Sequence, residues 1–212
     1  MTNRIEALKE MVQPYYQSDD PGHDWLHIQR VARNALMIAK NEIVDEEALL
    51  AGAYCHDLIN ISKDHPDRAK ASELSANASL QLLKEAGFEE SEIRKIQTII
   101  IEHSFSRGAK PSTAEAAILQ DADRLDAIGA IGILRCATTT VQMGSLLYHQ
   151  DEPLAENRAL NDKLYMLDHY YKKLYLLPEL MNTEIAREIA RKRIAFMKLF
   201  EENLLEEIDC SN

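Results

Sequence analysis

Cysteine is scarce: Cys55, Cys136 and Cys210 are odd in number and widely separated in 212 residues. That spacing excludes a disulfide framework and a paired-cysteine zinc site, and it points to reduced thiols in a cytoplasmic protein. Long apolar runs are absent, and nothing approaches the roughly 20 residues that a membrane-spanning helix needs. The opening Met1-Thr2-Asn3-Arg4-Ile5-Glu6 has no apolar signal-peptide core. Positive charge is short as well, with 24 Lys and Arg against 35 Asp and Glu, a formal net charge of -11. This argues against coating a nucleic acid or an anionic membrane, so neither partner is expected. An anionic small molecule remains compatible, because a metal ion or a few local cations override the global sign. Alternating strand patterns are almost missing, and there are no repeats or low-complexity tracts.

What is present is helical periodicity from end to end. Hydrophobic residues make up 46% and charged residues 28% of the chain, the balance of a globular protein with a real core. Ile5, Leu8 and Val12 mark a first helix that stops before Pro14. Asp24 is placed to cap a helix running to about Lys40, with Val31, Ala35 and Ile38 in one stripe. Asp45-Glu46-Glu47 puts acidic residues at the start of the next helix. Pro66 is expected to open a helix that lasts to Gly87, and Glu89 or Ser91 another that ends near His103. Thr113 begins a further helix, Ser145 to Pro153 reads as loop, and two long helices follow at about 154–177 and 183–208, separated by Pro178. The expected fold is all-α, a single domain over residues 1–212.

One dipeptide stands out of this pattern. His56 and Asp57 sit in Leu50-Ala51-Gly52-Ala53-Tyr54-Cys55-His56-Asp57, an otherwise apolar, small-residue stretch. A buried Asp is costly unless it is paired or binds a metal. His27 shares the stripe of Val31, Ala35 and Ile38; His103 follows Ile96 and Ile100 on theirs. Three histidines therefore face inward with core residues on three helices. A single such His is ordinarily a hydrogen-bonded core residue. Three, with an adjacent Asp and the run Asp121-Ala122-Asp123-Arg124-Leu125-Asp126, point to a metal site. Periodicity leaves both Asp121 and Asp123 open as members.

These residues resemble the H…HD…D signature of the HD-domain metal-dependent phosphohydrolases. Gly22-His23-Asp24-Trp25-Leu26-His27, Pro66-Asp67-Arg68, His103-Ser104-Phe105-Ser106, Gln120 to Gly129 and Asp168 to Leu174 are similar to the small bacterial YpgQ/YedJ-like group. The resemblance runs from about Tyr16 to Phe200. It implies a compact helical bundle of the HD type, with a metal-site core at about 22–130 and the C-terminal helices of about 154–209 packed on it. It also implies that His27, His56, Asp57 and Asp123 are metal ligands, with the Ala122-Asp123-Arg124-Leu125 motif selecting Asp123 over Asp121. Mixed imidazole and carboxylate ligation suits one divalent ion. Mn²⁺ is expected, with Mg²⁺, Fe²⁺, Co²⁺ and Ni²⁺ as alternatives. Such an ion polarises a phosphoryl oxygen and activates water.

The activity implied is hydrolysis of a nucleoside triphosphate to monophosphate and pyrophosphate. The catalytic candidates are Asp57, His103 for proton transfer or phosphate contact, and Asp126 to orient the water or hold a ligand. His23, Lys63 and Arg68 are the substrate-binding candidates. Arg30 and Arg135 read as ion-pair partners of the acids. Leu58 to Asp64 lacks the Glu-Asp pair of the HD enzymes that cleave guanosine tetraphosphate, which argues against that substrate. The alternatives are an HD-type phosphatase or phosphodiesterase acting on another ester, and a non-catalytic nucleotide sensor. Tyr165, Tyr170, Tyr171 and Tyr175 fit core packing or a dimer seam better than a base-stacking platform, and a homodimer stays open.

Overall fold

A computed structural model describes residues 2–17, 22–61, 65–104, 108 and 110–208. The chain forms two compact units, Met1–Asp123 and Arg124–Asn212. Among the described residues there is no strand, only one isolated bridge between Leu146 and Tyr165. No helix among them is long and apolar enough to cross a membrane.

The first unit holds α1 (Asn3–Val12), α2 (Trp25–Ala39), α3 (Glu46–Cys55), α4 (Ala71–Glu85), α5 (Glu90–Glu102) and nearly all of α6 (Ala114–Asp126). Local chemistry sets their starts. The Asp24 carboxylate accepts from the His27 amide at 2.8 Å, and Asp45 accepts from Ala48 at 3.0 Å. Glu89 and Glu92 form a reciprocal capping box on α5. Each cap satisfies amide groups that the helix itself leaves without an acceptor. α3 lies in the middle, with every residue from Ala48 to Cys55 buried and contacts to α1, α2, α4 and α5. A helix buried on all sides needs apolar residues around its whole circumference, and close neighbours require small ones. At Gly52 a Cβ would lie 2.8 Å from Ile99 Cγ2, so glycine lets α3 and α5 approach closely.

Pro66 does not open a regular helix. A turn and a short 3-10 segment, Arg68–Lys70, precede α4 at Ala71. The helix begun at Thr113 also ends earlier than its apolar pattern suggests. It breaks after Asp126, and α7 (Gly129–Gln142) restarts from Gly129 at a φ of 78°. A Cβ at Gly132 would lie 2.3 Å from the Ala127 carbonyl oxygen, so this break requires glycine.

The second unit continues with α8 (Met166–Lys172), a 3-10 segment Leu174–Leu180 containing Pro178, and α9 (Glu184–Ile208). The first of the two expected C-terminal helices is thus far shorter than 154–177. Asp168 supplies the reason. Its buried carboxylate receives Arg158 at 2.6 and 2.8 Å and the Asn161 amide at 2.6 Å. Arg158 also donates to the Glu152 carbonyl at 3.0 and 3.2 Å. Gathering these groups around one carboxylate wraps residues 152–165 into an irregular arm instead of a helix. Of the tyrosines only Tyr170 is fully buried and packs as core, while the half-buried Tyr171 and Tyr175 donate to the buried Glu201 at 2.6 and 2.9 Å.

Candidate metal centre

The first unit converges on Asp57. His56 terminates α3 and Asp57 follows it directly, while His27 lies in the first turn of α2. Asp57 Oδ2 lies 3.6 Å from His56 Nε2, 3.7 Å from His27 Nε2 and 3.9 Å from His23 Nε2. Asp123 reaches the same place from α6, with Oδ1 3.6 Å from His27 Nε2. The donor atoms of His27, His56 and Asp57 all lie within 4.8 Å of one another. His27 and His56 are fully buried.

Two anchors hold this geometry that the sequence reading passed over. Asn34 donates to the Ala122 carbonyl at 3.2 Å, tying α6 to α2 beside Asp123. Gln120 donates to the Glu102 carbonyl at 3.2 Å, tying α6 to the end of α5. Asn34 left a signal: a buried amide two turns beyond His27 in the Val31–Ala35–Ile38 helix. Trp25 is stacked between Tyr16 and Tyr54, with ring centroids 6.0 and 5.9 Å away. No periodicity pointed to that pairing.

The two C-terminal histidines of α3 and α5 are held alike. His56 Nδ1 meets the Ala53 carbonyl at 2.8 Å and His103 Nδ1 meets the Ile100 carbonyl at 2.5 Å. A carbonyl only accepts, so Nδ1 carries the hydrogen in both, and in the neutral His56 ring Nε2 holds the lone pair. The rings meet edge to face, centroids 4.9 Å apart at 85°, as the close approach at Gly52 allows. Burial pushes the His56 pKa down to about 4, so it is neutral at pH 7. Burial alone would raise Asp57 and Asp123. The surrounding imidazoles outweigh it and hold Asp57 well below the usual carboxylate range and Asp123 below it.

These residues fit a divalent ion. His56 Nε2 is buried without a hydrogen-bond partner, a costly state for a lone pair. The nitrogen–oxygen gaps of 3.6 to 3.9 Å exceed hydrogen-bond length. Two donors sharing an ion at about 2.1 Å stand roughly 3.0 to 3.5 Å apart, only slightly closer. Two ionised carboxylates bring two negative charges, which a divalent cation balances.

The remaining candidates fall in different places. His23, His103 and Asp123 join the cluster, and Asp121 is fully buried. Arg68 Nη1 binds the Asn60 side chain at 2.9 Å and the Ile61 carbonyl, so it clamps its own loop. Lys63 lies outside the described residues. Asp126 belongs to the second unit, where Arg135 meets its carboxylate at 2.7 Å, the ion pair expected of Arg135.

Fold and site define an all-α protein with a buried cluster of two histidines and carboxylates that fits a cation. The HD domain family matches residues 25–128. Bacillus subtilis YpgQ is 33% identical over 209 residues, covering 97% of this chain and 94% of YpgQ. The crystal structure of B. subtilis YpgQ in complex with ADP matches with a TM-score of 0.76 at 31% identity, covering 98% of this chain and 96% of that one. An HD-superfamily hydrolase from Bacillus thuringiensis matches with a TM-score of 0.73 at 28% identity, over 98% and 97% of the two chains. The chain belongs to the HD-domain family of metal-binding hydrolases.

Proposed function

We propose that the protein hydrolyses nucleoside triphosphates to monophosphate and pyrophosphate, using one divalent ion held by His27, His56, Asp57 and Asp123. The observation that carries this reading is the ring of three imidazole nitrogens at 3.6 to 3.9 Å around Asp57 Oδ2. The ADP complex of YpgQ, similar over nearly its whole length, supports a nucleotide as the ligand. When bound, the ion supplies Lewis acidity toward a phosphoryl oxygen and toward water.

The protein's own groups do the rest. Asp57 and Asp123 remain ionised and so hold a cation at neutral pH. The carbonyl bonds to His56 and His103 fix both ring orientations before substrate arrives, which lowers the cost of organising the reaction. Water adds to the α-phosphorus, the α–β bridging P–O bond breaks, and pyrophosphate leaves with the bond electrons. His103 Nε2, with its lone pair, accepts the water proton. His23, only partly exposed beside Asp57, faces the entering phosphate. Arg68 holds Asn60 and the Ile61 carbonyl and adds positive charge beside them, and Lys63 is a further substrate-binding candidate.

The test is product analysis on metal-stripped protein reloaded with Mn²⁺ and offered nucleoside mono-, di- and triphosphates and cyclic nucleotides. The expected result is pyrophosphate release from triphosphates that disappears in Asp57→Ala. Orthophosphate release alone, or turnover of cyclic nucleotides only, would replace this substrate with another phosphate ester. Metal binding without any turnover would leave a nucleotide sensor.

A further inference from the structure

The end of α3 presents His56 and Asp57, and that end is buried. The last carbonyls of a helix have no partner within it. Ala53, Tyr54 and Cys55, which carry them here, are all buried residues. Each carbonyl finds a different donor. His56 Nδ1 meets that of Ala53 at 2.8 Å, and the Leu58 amide meets that of Cys55 at 3.4 Å. The Tyr54 carbonyl is met from farther along the chain, by the Tyr16 hydroxyl at 2.7 Å. The same phenol oxygen accepts from the backbone amide of Asp57. One hydroxyl therefore bridges Tyr54 to Asp57 across the turn that carries both ligand candidates.

Tyr16 is itself held for this task. It ends a 3-10 segment, Gln13–Tyr16, just after α1, and it is buried. Its ring stacks on Trp25 with the planes at 29°, and Trp25 stacks on Tyr54 at 25°. Trp25 is the first residue of α2, two before His27. The stack thus joins the start of the helix that carries His27 to the end of the helix before His56. A buried hydroxyl must have its hydrogen-bonding roles met, and both partners here belong to the ligand turn. Tyr16 also lies ahead of residues 25–128, the stretch that the HD domain family matches.

We propose, on the reading of His56 and Asp57 as ligands, that Tyr16 is a positioning residue whose hydroxyl fixes the turn that aims both at the cation. Tyr16→Phe tests this, because it removes the hydroxyl and leaves the stacked ring. Amide hydrogen exchange, read by NMR on metal-free protein, should be about tenfold or more faster at Asp57 in the variant. The Ala48 amide, held by Asp45 at the other end of α3, should keep its wild-type rate. In a titration followed by electron paramagnetic resonance, the Mn²⁺ dissociation constant should rise about tenfold or more, with one site per chain retained. Tyr171→Phe, which removes a hydroxyl bond to the buried Glu201, should bind Mn²⁺ as the wild type does. Equal acceleration at every amide would make Tyr16 a part of the general fold and overturn the proposal. So would an Asp57 amide that exchanges at the open-chain rate in the wild type, a result that needs no variant. Equal Mn²⁺ affinity in wild type and Tyr16→Phe would overturn the positioning role alone. A wild type that binds no Mn²⁺ would remove the ligand reading, and the proposal with it.

Discussion

Each unit contains a carboxylate surrounded by polar partners, and the two are finished in opposite ways. Asp168, in the second unit, is closed: Arg158 and the Asn161 amide reach it at 2.6 to 2.8 Å, and its position is structural. Asp57, in the first, has three imidazole nitrogens around one oxygen at 3.6 to 3.9 Å, too far for hydrogen bonds. A carboxylate that only stabilises a fold is saturated at short range. One left among ring nitrogens that are near but beyond bonding distance fits the cation proposed for it. Burial alone does not separate structure from function; the length of the contacts does.

The comparison breaks first at the ligands. His27→Ala should lower metal-dependent turnover by roughly a thousandfold or more, because a lost ligand misplaces everything bound to the ion. Initial rates at saturating Mn²⁺ measure it, with circular dichroism confirming the fold. The next effect concerns acid. The His56 pKa is pushed from 6.5 in the open chain to about 4 by burial, so the unfolded chain binds a proton that the folded one does not. Its contribution is therefore intact above pH 6.5 and is lost as the pH falls toward 4. About 3 kcal/mol of metal-free stability should disappear across that window. Urea titrations from pH 7 to 4 on chelator-treated protein show it, and His56→Asn should flatten the slope.

In the second unit the expectation reverses. Asp168→Asn should lower the melting temperature by several degrees and leave Mn²⁺ stoichiometry unchanged, since that carboxylate holds the 152–165 arm. Calorimetry with metal analysis separates the two effects. A lost ion in this variant would break the contrast between the sites. The smallest effect belongs to the buried Glu201. Tyr171→Phe, which removes one of its two hydroxyl donors, should cost about 1 kcal/mol in chemical denaturation and nothing in activity.

What the sequence made legible was whatever is local or periodic. Asp24, the acidic run Asp45-Glu46-Glu47 and Glu89 marked the helix starts of α2, α3 and α5. The inward histidines followed from sharing a stripe with Val31 or Ile100. The stop after Asp126 was hidden because the apolar period continues through it, and only the space at Gly132 and the φ of Gly129 require it. The irregular arm before α8 depends on Arg158 and Asp168 meeting ten residues apart, a pairing that helical periodicity cannot report. The same holds at the site. Periodicity alone did not choose between Asp121 and Asp123; the resemblance did, and the 3.6 Å approach to His27 supports it. The carbonyl bonds that orient His56 and His103, and the Asn34 anchor under Asp123, exist only once helices pack.

The measurement that bears most directly on the centre is a Mn²⁺ titration of metal-stripped protein, followed by electron paramagnetic resonance, with Asp57→Asn in parallel. The account predicts one tightly bound Mn²⁺ per chain in the wild type and loss of that binding in the variant, without loss of fold. Equal binding in both proteins would contradict it, and would mean that the imidazole ring around Asp57 is not where the cation sits.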